Sequence, residues 1–311
     1  MANFIAAHNH RLRRILYGSQ GLRSGWSIAI FAVLVAPGDL IANIARHHLP
    51  SLLEGDIAIG DSLVLETLLL AVILGAMAIM GRIERRNFWS SYGFSESRPI
   101  KKLLFGLGGG LVCLSLVVGA MNAGGYLVFD ARALHGLPAL GYGLIWLLDF
   151  MIVGLREEAM FRGYLQATLT RGIGFWPAAV LLSLWFGASH LQNAGESTTG
   201  IMGVIAHALF YCLLLRLSGS LWLGIGFHAA WDWAQSYLYG TPQSGHLMQG
   251  HLLTAHARGD SLMSGGSVGP EGSLFGLPAQ ILGLFAFLWA VKRAGLYVKG
   301  RDRRVLLHTP Q

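Results

Sequence analysis

The sequence predicts an all-α polytopic membrane protein with about eight transmembrane helices, and two observations support this class. Of the 311 residues, 53% are hydrophobic and only 13% are charged, whereas soluble globular domains carry roughly 25% charged residues. A bilayer core about 30 Å thick also requires about 20 mostly apolar residues for each helical crossing. Such runs occupy 25–46, 62–81, 103–122, 141–169, 175–194, 200–216, 219–238 and 274–292.

The distribution of basic residues predicts the orientation of these spans. Lys and Arg are concentrated in alternate connections, whereas the opposite connections are acidic or nearly neutral. Because cytoplasmic loops carry the excess of Lys and Arg, both termini are expected in the cytoplasm. The compactness of the chain and the absence of a eukaryotic targeting signal predict that the membrane is a bacterial inner membrane. The basic groups are Arg11, Arg13, Arg14 and Arg23 before the first span, Arg82, Arg85, Arg86, Arg98, Lys101 and Lys102 after the second, Arg171 after the fourth, Arg216 at the end of the sixth, and Lys292, Arg293, Lys299, Arg301, Arg303 and Arg304 after the last.

The same distribution explains the formal net charge of +7. Basic residues beside a membrane are attracted to anionic lipid by about 1 kcal/mol each. No basic patch with interleaved aromatic residues occurs elsewhere in the sequence, so a nucleic-acid partner is not expected. The expected partners are the lipid bilayer and a protein or peptide substrate.

The chain divides into two regions. Region 1–138 holds the first three spans and cytoplasmic basic segments, and region 139–311 holds most of the unusual residues. Within the second region, segment 239–273 is too polar to cross a bilayer and is expected to form an extracytoplasmic loop that can act as a lid. Its histidines, His246, His251 and His256, are spaced by five. That spacing does not place them on one helix face, and no metal site is predicted there.

Several small or polar residues inside the spans are expected to serve packing. The glycine-rich run from Gly106 to Gly110 lacks the strand and helix that flank a phosphate-binding turn, and small residues let membrane helices approach closely. Cys113 and Cys212 are expected to be small core residues. His207 is expected to be a packing residue with its hydrogen bonds satisfied.

The segment "LREEAMFRGYLQ", residues 155–166, places four charges inside an otherwise apolar span. Ionisable residues at membrane depth face protein or water rather than lipid. Glu158 and Arg162 are about 40° apart on a helical wheel and can pair, whereas Glu157 is about 140° from Arg162. Glu157 is therefore expected to lack a partner and to suit the role of general base. Arg156 is expected to be the least important of the four charges.

Two later spans carry polar pairs with the same helical spacing. "FGASH" places Phe186 and His190 four residues apart, and "HAAWD" does the same for His228 and Asp232. In a helical bundle these pairs could converge with Glu157. One carboxylate and one histidine would then deprotonate a water that attacks a peptide carbonyl, while the other pair would hold the resulting oxyanion.

Three ordered motifs, "EEAMFR", "FGASH" and "HAAWD", resemble those of the CPBP (CAAX protease and bacteriocin-processing) family of intramembrane glutamic endopeptidases. The resemblance covers roughly 140–236. It implies that Glu157 is the water-activating base assisted by His190, and that His228 and Asp232 form the oxyanion site. The eukaryotic prenyl protease of this family carries Asn at the position of Asp232. An ionised Asp there would repel an oxyanion, so Asp232 is expected to be protonated or to orient His228.

The resemblance assigns supporting roles to three further residues. Glu158 and Arg162 would orient the site or hold the end of the substrate, although a purely structural ion pair between helices is the alternative. Phe186 would pack against the site. The stretch "GPEGS" at 269–273 also looks like one found in many bacterial members.

Other functional classes use similar residues. A metalloprotease is disfavoured because the HExxH spacing is absent, and no metal or other cofactor is predicted. A proton-coupled transporter would also bury carboxylates and histidines, but the inverted repeats typical of transporters are not seen. A non-proteolytic scaffold or immunity protein is the remaining alternative.

Asp39 and Asp149 are further acids within predicted spans and have no partner assigned from the sequence.

Overall fold

The computed structural model describes residues 15–19, 21–49, 56–191, 197–243 and 245–298. These residues form an all-α polytopic membrane protein, as predicted, with a helix at each of the predicted spans. The main helices are α1 Ser24–His48, α2 Ile59–Glu84, α3 Pro99–Ala123, α4 Gly136–Glu158, α5 Gln166–Ile173, α6 Phe175–Ser189, α7 Thr198–Ser218, α8 Trp222–Trp233 and α9 Leu277–Arg293.

Within the described residues, five helical segments are long and apolar enough to cross a membrane by themselves. They are α1, α2, α3, α7 and the continuous segment Gly136–Ile173, which comprises α4 and α5. The helices at the other predicted spans are shorter, because α6 ends at Ser189 and α8 begins only at Trp222. Between α7 and α8 the chain turns at Gly219, whose φ of 69° is left-handed and favours glycine.

Two π-helical segments interrupt the predicted regularity. The fourth span continues from α4 through a π-helix at Ala159–Leu165 before α5 begins. A second π-helix, Ala234–Leu238, directly follows α8. Single-turn π-helices occur frequently at functional sites. Here the first begins directly after Glu158 and contains Arg162 of "EEAMFR", and the second begins two residues after Asp232 of "HAAWD".

Helix α8 forms the centre of the bundle. It packs most extensively against α3 and next against α4, and every residue from Leu223 to Asp232 is buried. The approach to α3 depends on glycine, since a Cβ atom on Gly106 or Gly110 would collide with the backbone of α8. The prediction that these glycines serve packing is confirmed. Gly154 does the same for α4, because a Cβ there would lie 3.2 Å from the Ile225 carbonyl oxygen.

Segment 239–273 is fastened to the helices around it. Its strand Ala255–Ala257 pairs antiparallel with Leu127–Phe129, which precedes α4. Met248 forms a parallel bridge with Ile57 just before α2, and the Trp146 indole donates a hydrogen bond of 2.9 Å to the Gln249 carbonyl. These contacts attach the segment to the end of the bundle at which α2 and α4 begin.

The histidines of this segment do not share a site. His251 Nδ1 lies 2.8 Å from the Met248 carbonyl oxygen. His256 Nε2 lies 2.7 Å from Asp130 Oδ2 on the exposed surface. Burial lowers the pKa of His246. Each ring therefore has a separate environment.

Candidate active site

Three carboxylates surround the ring of His228. Nδ1 lies 3.1 Å from Glu158 Oε1, while Nε2 lies 3.4 Å from Asp232 Oδ2 and 3.8 Å from Glu157 Oε2. One face of the His228 ring stacks on Tyr211, with the ring centroids 4.9 Å apart and an angle of 16° between the ring planes. The structure thus brings together the motifs of the fourth and seventh predicted spans, which are about 70 residues apart in the sequence.

The predicted pair of Glu158 and Arg162 is present and buried. Arg162 Nη1 lies 3.0 Å from Glu158 Oε1, and the two residues are only 3% and 1% exposed. Arg162 Nη2 donates to the Ala208 carbonyl of α7 at 3.1 Å. The guanidinium also lies between two aromatic rings, 5.0 Å from the Phe186 centroid and 5.1 Å from that of Tyr211. Arg162 therefore joins α4, α6 and α7 beside the site.

The prediction that Glu157 lacks a partner is wrong. Glu157 Oε1 accepts a hydrogen bond of 3.0 Å from Arg156 Nη2, and Arg156 Nε donates to Glu66 Oε2 at 2.6 Å. The helical wheel considered only partners three or four residues away. It could not include Glu66 on α2, which binds Arg156 on the side where Glu157 lies. The view of Arg156 as the least important charge is corrected for the same reason, since it links two acids.

Glu66 is a residue of the site that the sequence analysis missed. The available signal was a carboxylate inside the predicted span 62–81, since such residues rarely occur at membrane depth without a partner.

One helical turn before Glu66 on α2, Ser62 donates a hydrogen bond of 2.8 Å to Asp149 Oδ2. Asp149, left without a partner by the sequence, is 1% exposed, and its Oδ1 has no hydrogen-bond partner among the described residues.

His190 lies at the end of α6 and is half-buried. Its Nδ1 donates to the Phe186 carbonyl oxygen at 2.8 Å, and the two rings are 4.8 Å apart. In the described part of the chain, no hydrogen bond or ion pair joins His190 to Glu157, although the two lie within range of Coulombic interaction. The Phe186 ring contacts both His190 and the guanidinium of the buried Arg162, which agrees with the expectation that it packs against the site.

Segment 239–273 also contributes to the site. The side chain of Gln243 lies close to the Asp232 carboxylate and accepts a hydrogen bond of 2.6 Å from Ser236 in the second π-helix. Gln243 was missed by the sequence analysis, because a glutamine in a polar loop carries no distinguishing signal. Its position shows that this segment covers the side of the site where Asp232 lies.

His207 lies near the site and was predicted to be a packing residue. His207 is 7% exposed, lies within 3.3 Å of the Gln280 amide and packs edge-on against Trp231, so it is a packing residue, as predicted.

Across the residues that the structure describes, no group of three or more His, Cys, Asp or Glu side chains has a geometry suited to holding a metal ion.

Comparison with known proteins identifies the region that contains these motifs. Residues 139–234 match the family model described as type II CAAX prenyl endopeptidase Rce1-like. The match covers under a third of the 311 residues, and no curated protein matches the chain. Glu157, His190, His228 and Asp232 all lie within the matched region. Residues 139–234, which carry all three motifs, are therefore similar to the Rce1-like type II CAAX prenyl endopeptidase family.

Proposed function

We propose that this protein is a glutamic intramembrane endopeptidase in which Glu157 activates the water that attacks a peptide bond. The family implies a membrane protease that acts on a protein or peptide. The observation that supports the glutamic mechanism is the placement of the Glu157, Glu158 and Asp232 carboxylates within 3.1–3.8 Å of the His228 ring.

Glu157 is suited to accept a proton through Oε2. Its Oε1 is occupied by Arg156 at 3.0 Å, so the carboxylate has a fixed orientation and its other oxygen points toward His228. A water hydrogen-bonded to Oε2 would lose its proton to Glu157 as its oxygen attacks the substrate carbonyl carbon. His190 assists from α6: its Nδ1 donates to a backbone carbonyl, which leaves Nε2 to hold that water.

His228 is suited to stabilise the oxyanion of the tetrahedral intermediate. Glu158 Oε1 also accepts from Arg162 at 3.0 Å, so it acts as an ionised acceptor, and Nδ1 of His228 is the donor to it. This contact fixes the ring so that Nε2 faces the side where Glu157 and Asp232 lie. In the imidazolium form, which the three surrounding carboxylates favour, Nε2 also carries a hydrogen that it can donate. A donor held in place before the reaction needs no reorganisation as charge develops, which is the main source of such stabilisation.

Asp232 orients His228 in this mechanism. Its Oδ2 lies 3.4 Å from Nε2, and the side chain of Gln243 lies close to the same carboxylate. Asp232 therefore acts by holding the ring and need not itself contact the oxyanion, which accounts for an acid at a position where the prenyl protease has Asn. Glu158, Arg162 and Phe186 hold the ring and the helices that carry it.

The proposal includes a location and a topology. The protein lies in a bacterial inner membrane with both termini in the cytoplasm, and segment 239–273 lies on the opposite side. Region 139–311 is the protease core and region 1–138 supplies further membrane helices. The substrate is a protein or peptide that reaches the site from the membrane.

The decisive experiment compares three strains: wild type, a deletion strain, and the deletion strain complemented with Glu157→Gln. Mapping of new protein termini in their membranes should show cleavage products in the wild type alone. The products should then be generated by purified protein in lipid nanodiscs, with one ¹⁸O atom from labelled water in the new carboxyl group.

Glu157→Gln with full biological activity would instead favour a scaffold or immunity protein, and proton-coupled uptake into vesicles would favour a transporter. Inhibition by a chelator, with metal in the purified protein, would favour a metalloprotease.

A further inference from the structure

We propose that Glu66 of α2 is a positioning residue for Glu157 and acts through Arg156. This inference rests on the proposed function and extends it to a residue outside the matched region 139–234. It assigns to the N-terminal part of the chain a direct effect on the rate of the reaction.

The geometry is that of a guanidinium shared by two carboxylates. Arg156 uses Nε to bind Glu66 Oε2 at 2.6 Å and Nη2 to bind Glu157 Oε1 at 3.0 Å. The guanidinium group is planar and rigid, so its donors have fixed relative directions. Once Glu66 fixes Nε, the direction from which Nη2 approaches Glu157 is also fixed.

The shorter contact is the one to Glu66. Arg156 belongs to the same helix as Glu157 and is adjacent to it, so α4 alone does not determine where its long side chain points. Glu66, on a different helix, supplies that determinant. The side chains of Arg156 and Glu66 are only 18% and 15% exposed, and charge-assisted hydrogen bonds in such an environment are the strong ones.

The position of Glu66 is itself fixed by a second polar contact between the same helices. Ser62 lies one turn before Glu66 on α2 and donates to the buried Asp149 of α4 at 2.8 Å. This contact and the Glu66–Arg156 pair together set the register of α2 against α4. A small shift of α2 would therefore move Arg156 and, through it, the Glu157 carboxylate.

The consequence is kinetic. Misplacement of a reacting group by about 1 Å can lower a rate about 100-fold. Removal of Glu66 leaves Arg156 bound to Glu157 but frees the direction of the guanidinium. The base is then present and charged, but its Oε2 is no longer held toward the attacking water.

The experiment measures kcat, KM and thermal midpoint for Glu66→Ala, Glu66→Gln, Arg156→Ala and the double variant Glu66→Ala with Arg156→Ala. Each is the full-length protein in nanodiscs, with a peptide from the mapped substrate. Glu66→Ala should lower kcat about 10- to 100-fold with KM within about twofold. Glu66→Gln, which retains an acceptor oxygen, should recover part of this loss. Because Glu66 acts through Arg156, the double variant should be no slower than Arg156→Ala alone.

Glu84 provides a matched control on the same helix. It forms a comparable ion pair with Arg171 at 3.1 Å and lies about 27 Å along α2 from Glu66. Glu84→Gln should lower the thermal midpoint and leave kcat unchanged. Equal kcat losses in Glu84→Gln and Glu66→Gln would show a general effect of stability and overturn the inference.

The outcomes separate this inference from the proposed function. Wild-type turnover that depends on Glu157, with Glu66→Ala at the wild-type kcat, would overturn only the role of Glu66. Additive losses for Glu66→Ala and Arg156→Ala would overturn the route through Arg156. Turnover that persists in Glu157→Gln would instead overturn the proposed function itself.

Discussion

The imidazole of His228 donates its Nδ1 hydrogen to the carboxylate of Glu158, with 3.1 Å between the two atoms. This contact joins α8 to α4 and decides which nitrogen of the ring faces Glu157 and Asp232. Because Arg162 binds the same oxygen of Glu158, the donor and acceptor roles at this contact are fixed. The orientation of the ring therefore depends on an ion pair within α4 and its π-helical continuation.

Replacement of Glu157 or His190 by Ala is expected to abolish peptide cleavage while expression stays intact. General acid and base groups typically contribute 10²- to 10⁴-fold to a rate, so turnover should fall by at least about 100-fold. The measurement is product formation by each purified variant, with Glu84→Gln as the active control. Turnover near the wild-type rate in either variant would contradict the assignment.

Arg162→Ala is expected to damage folding or substrate binding rather than water activation. Its loss leaves the carboxylate of Glu158 buried without its partner, and breaking a buried ion pair costs about 3–5 kcal/mol. The thermal midpoint should fall well below that of Arg216→Ala. Arg216 is a suitable control because it stacks on Phe175 with a centroid distance of 4.7 Å and is more exposed. A loss confined to the chemical step, with binding and stability unchanged, would refute this role.

Asp232→Asn is expected to retain at least about a tenth of the wild-type kcat, whereas Asp232→Ala should lose about 100-fold. The Asn side chain has the same shape and keeps an oxygen to hold His228, while Ala leaves Nε2 without its neighbour at 3.4 Å. Single-turnover rates of both variants provide the measurement. If the two variants are equally inactive, a negative charge is required, and orientation alone does not explain Asp232.

Gly106→Ala is expected to destabilise the bundle, whereas Gly108→Ala should be nearly neutral. A Cβ atom at position 106 would meet the backbone of α8, but at position 108 it would meet no atom within 4 Å. Overpacking typically costs 1–3 kcal/mol, which a thermal scan of both variants in the same detergent will detect. The packing role would be wrong if both variants had the same midpoint.

The proposed topology is testable by thiol labelling in intact cells. Cys113 and Cys212 are 2% and 1% exposed and should not react with a membrane-impermeant maleimide. His256→Cys, in the exposed part of segment 239–273, should react from outside the inner membrane. Ser97→Cys, in the basic connection before α3, should react only after the membrane is opened. The reverse pattern would invert the orientation.

Much of the fold follows from local sequence. In lipid, backbone groups must bond within the helix, so long apolar runs determine α1, α2, α3 and α7 with little dependence on the rest of the chain. The pair of Glu158 and Arg162 was likewise predictable, because residues four apart on one helix are neighbours in any fold. The sequence predicted that Gly106 lets a neighbouring helix approach closely, but it did not identify that helix as α8.

What the sequence did not reveal depends on distant contacts. The π-helices at Ala159–Leu165 and Ala234–Leu238 were predicted as parts of regular helical spans. The loop residue Gln243 reaches Asp232 only because segment 239–273 is fastened across the start of α2 and α4. The family resemblance predicted that His190 assists Glu157, but it did not predict that the ring of His228 lies nearer to Glu157.

The sequence by itself determined the all-α membrane class, the helices that carry the three motifs and the buried pair of Glu158 and Arg162, because each follows from hydropathy or helical period along one segment. Only the tertiary structure decided the partners of Glu157. Arg156 links it to Glu66, 90 residues away in the sequence, and such a link arises from the register of two packed helices. Side-chain charges act across the space between helices, and the order of residues along the chain does not specify that space.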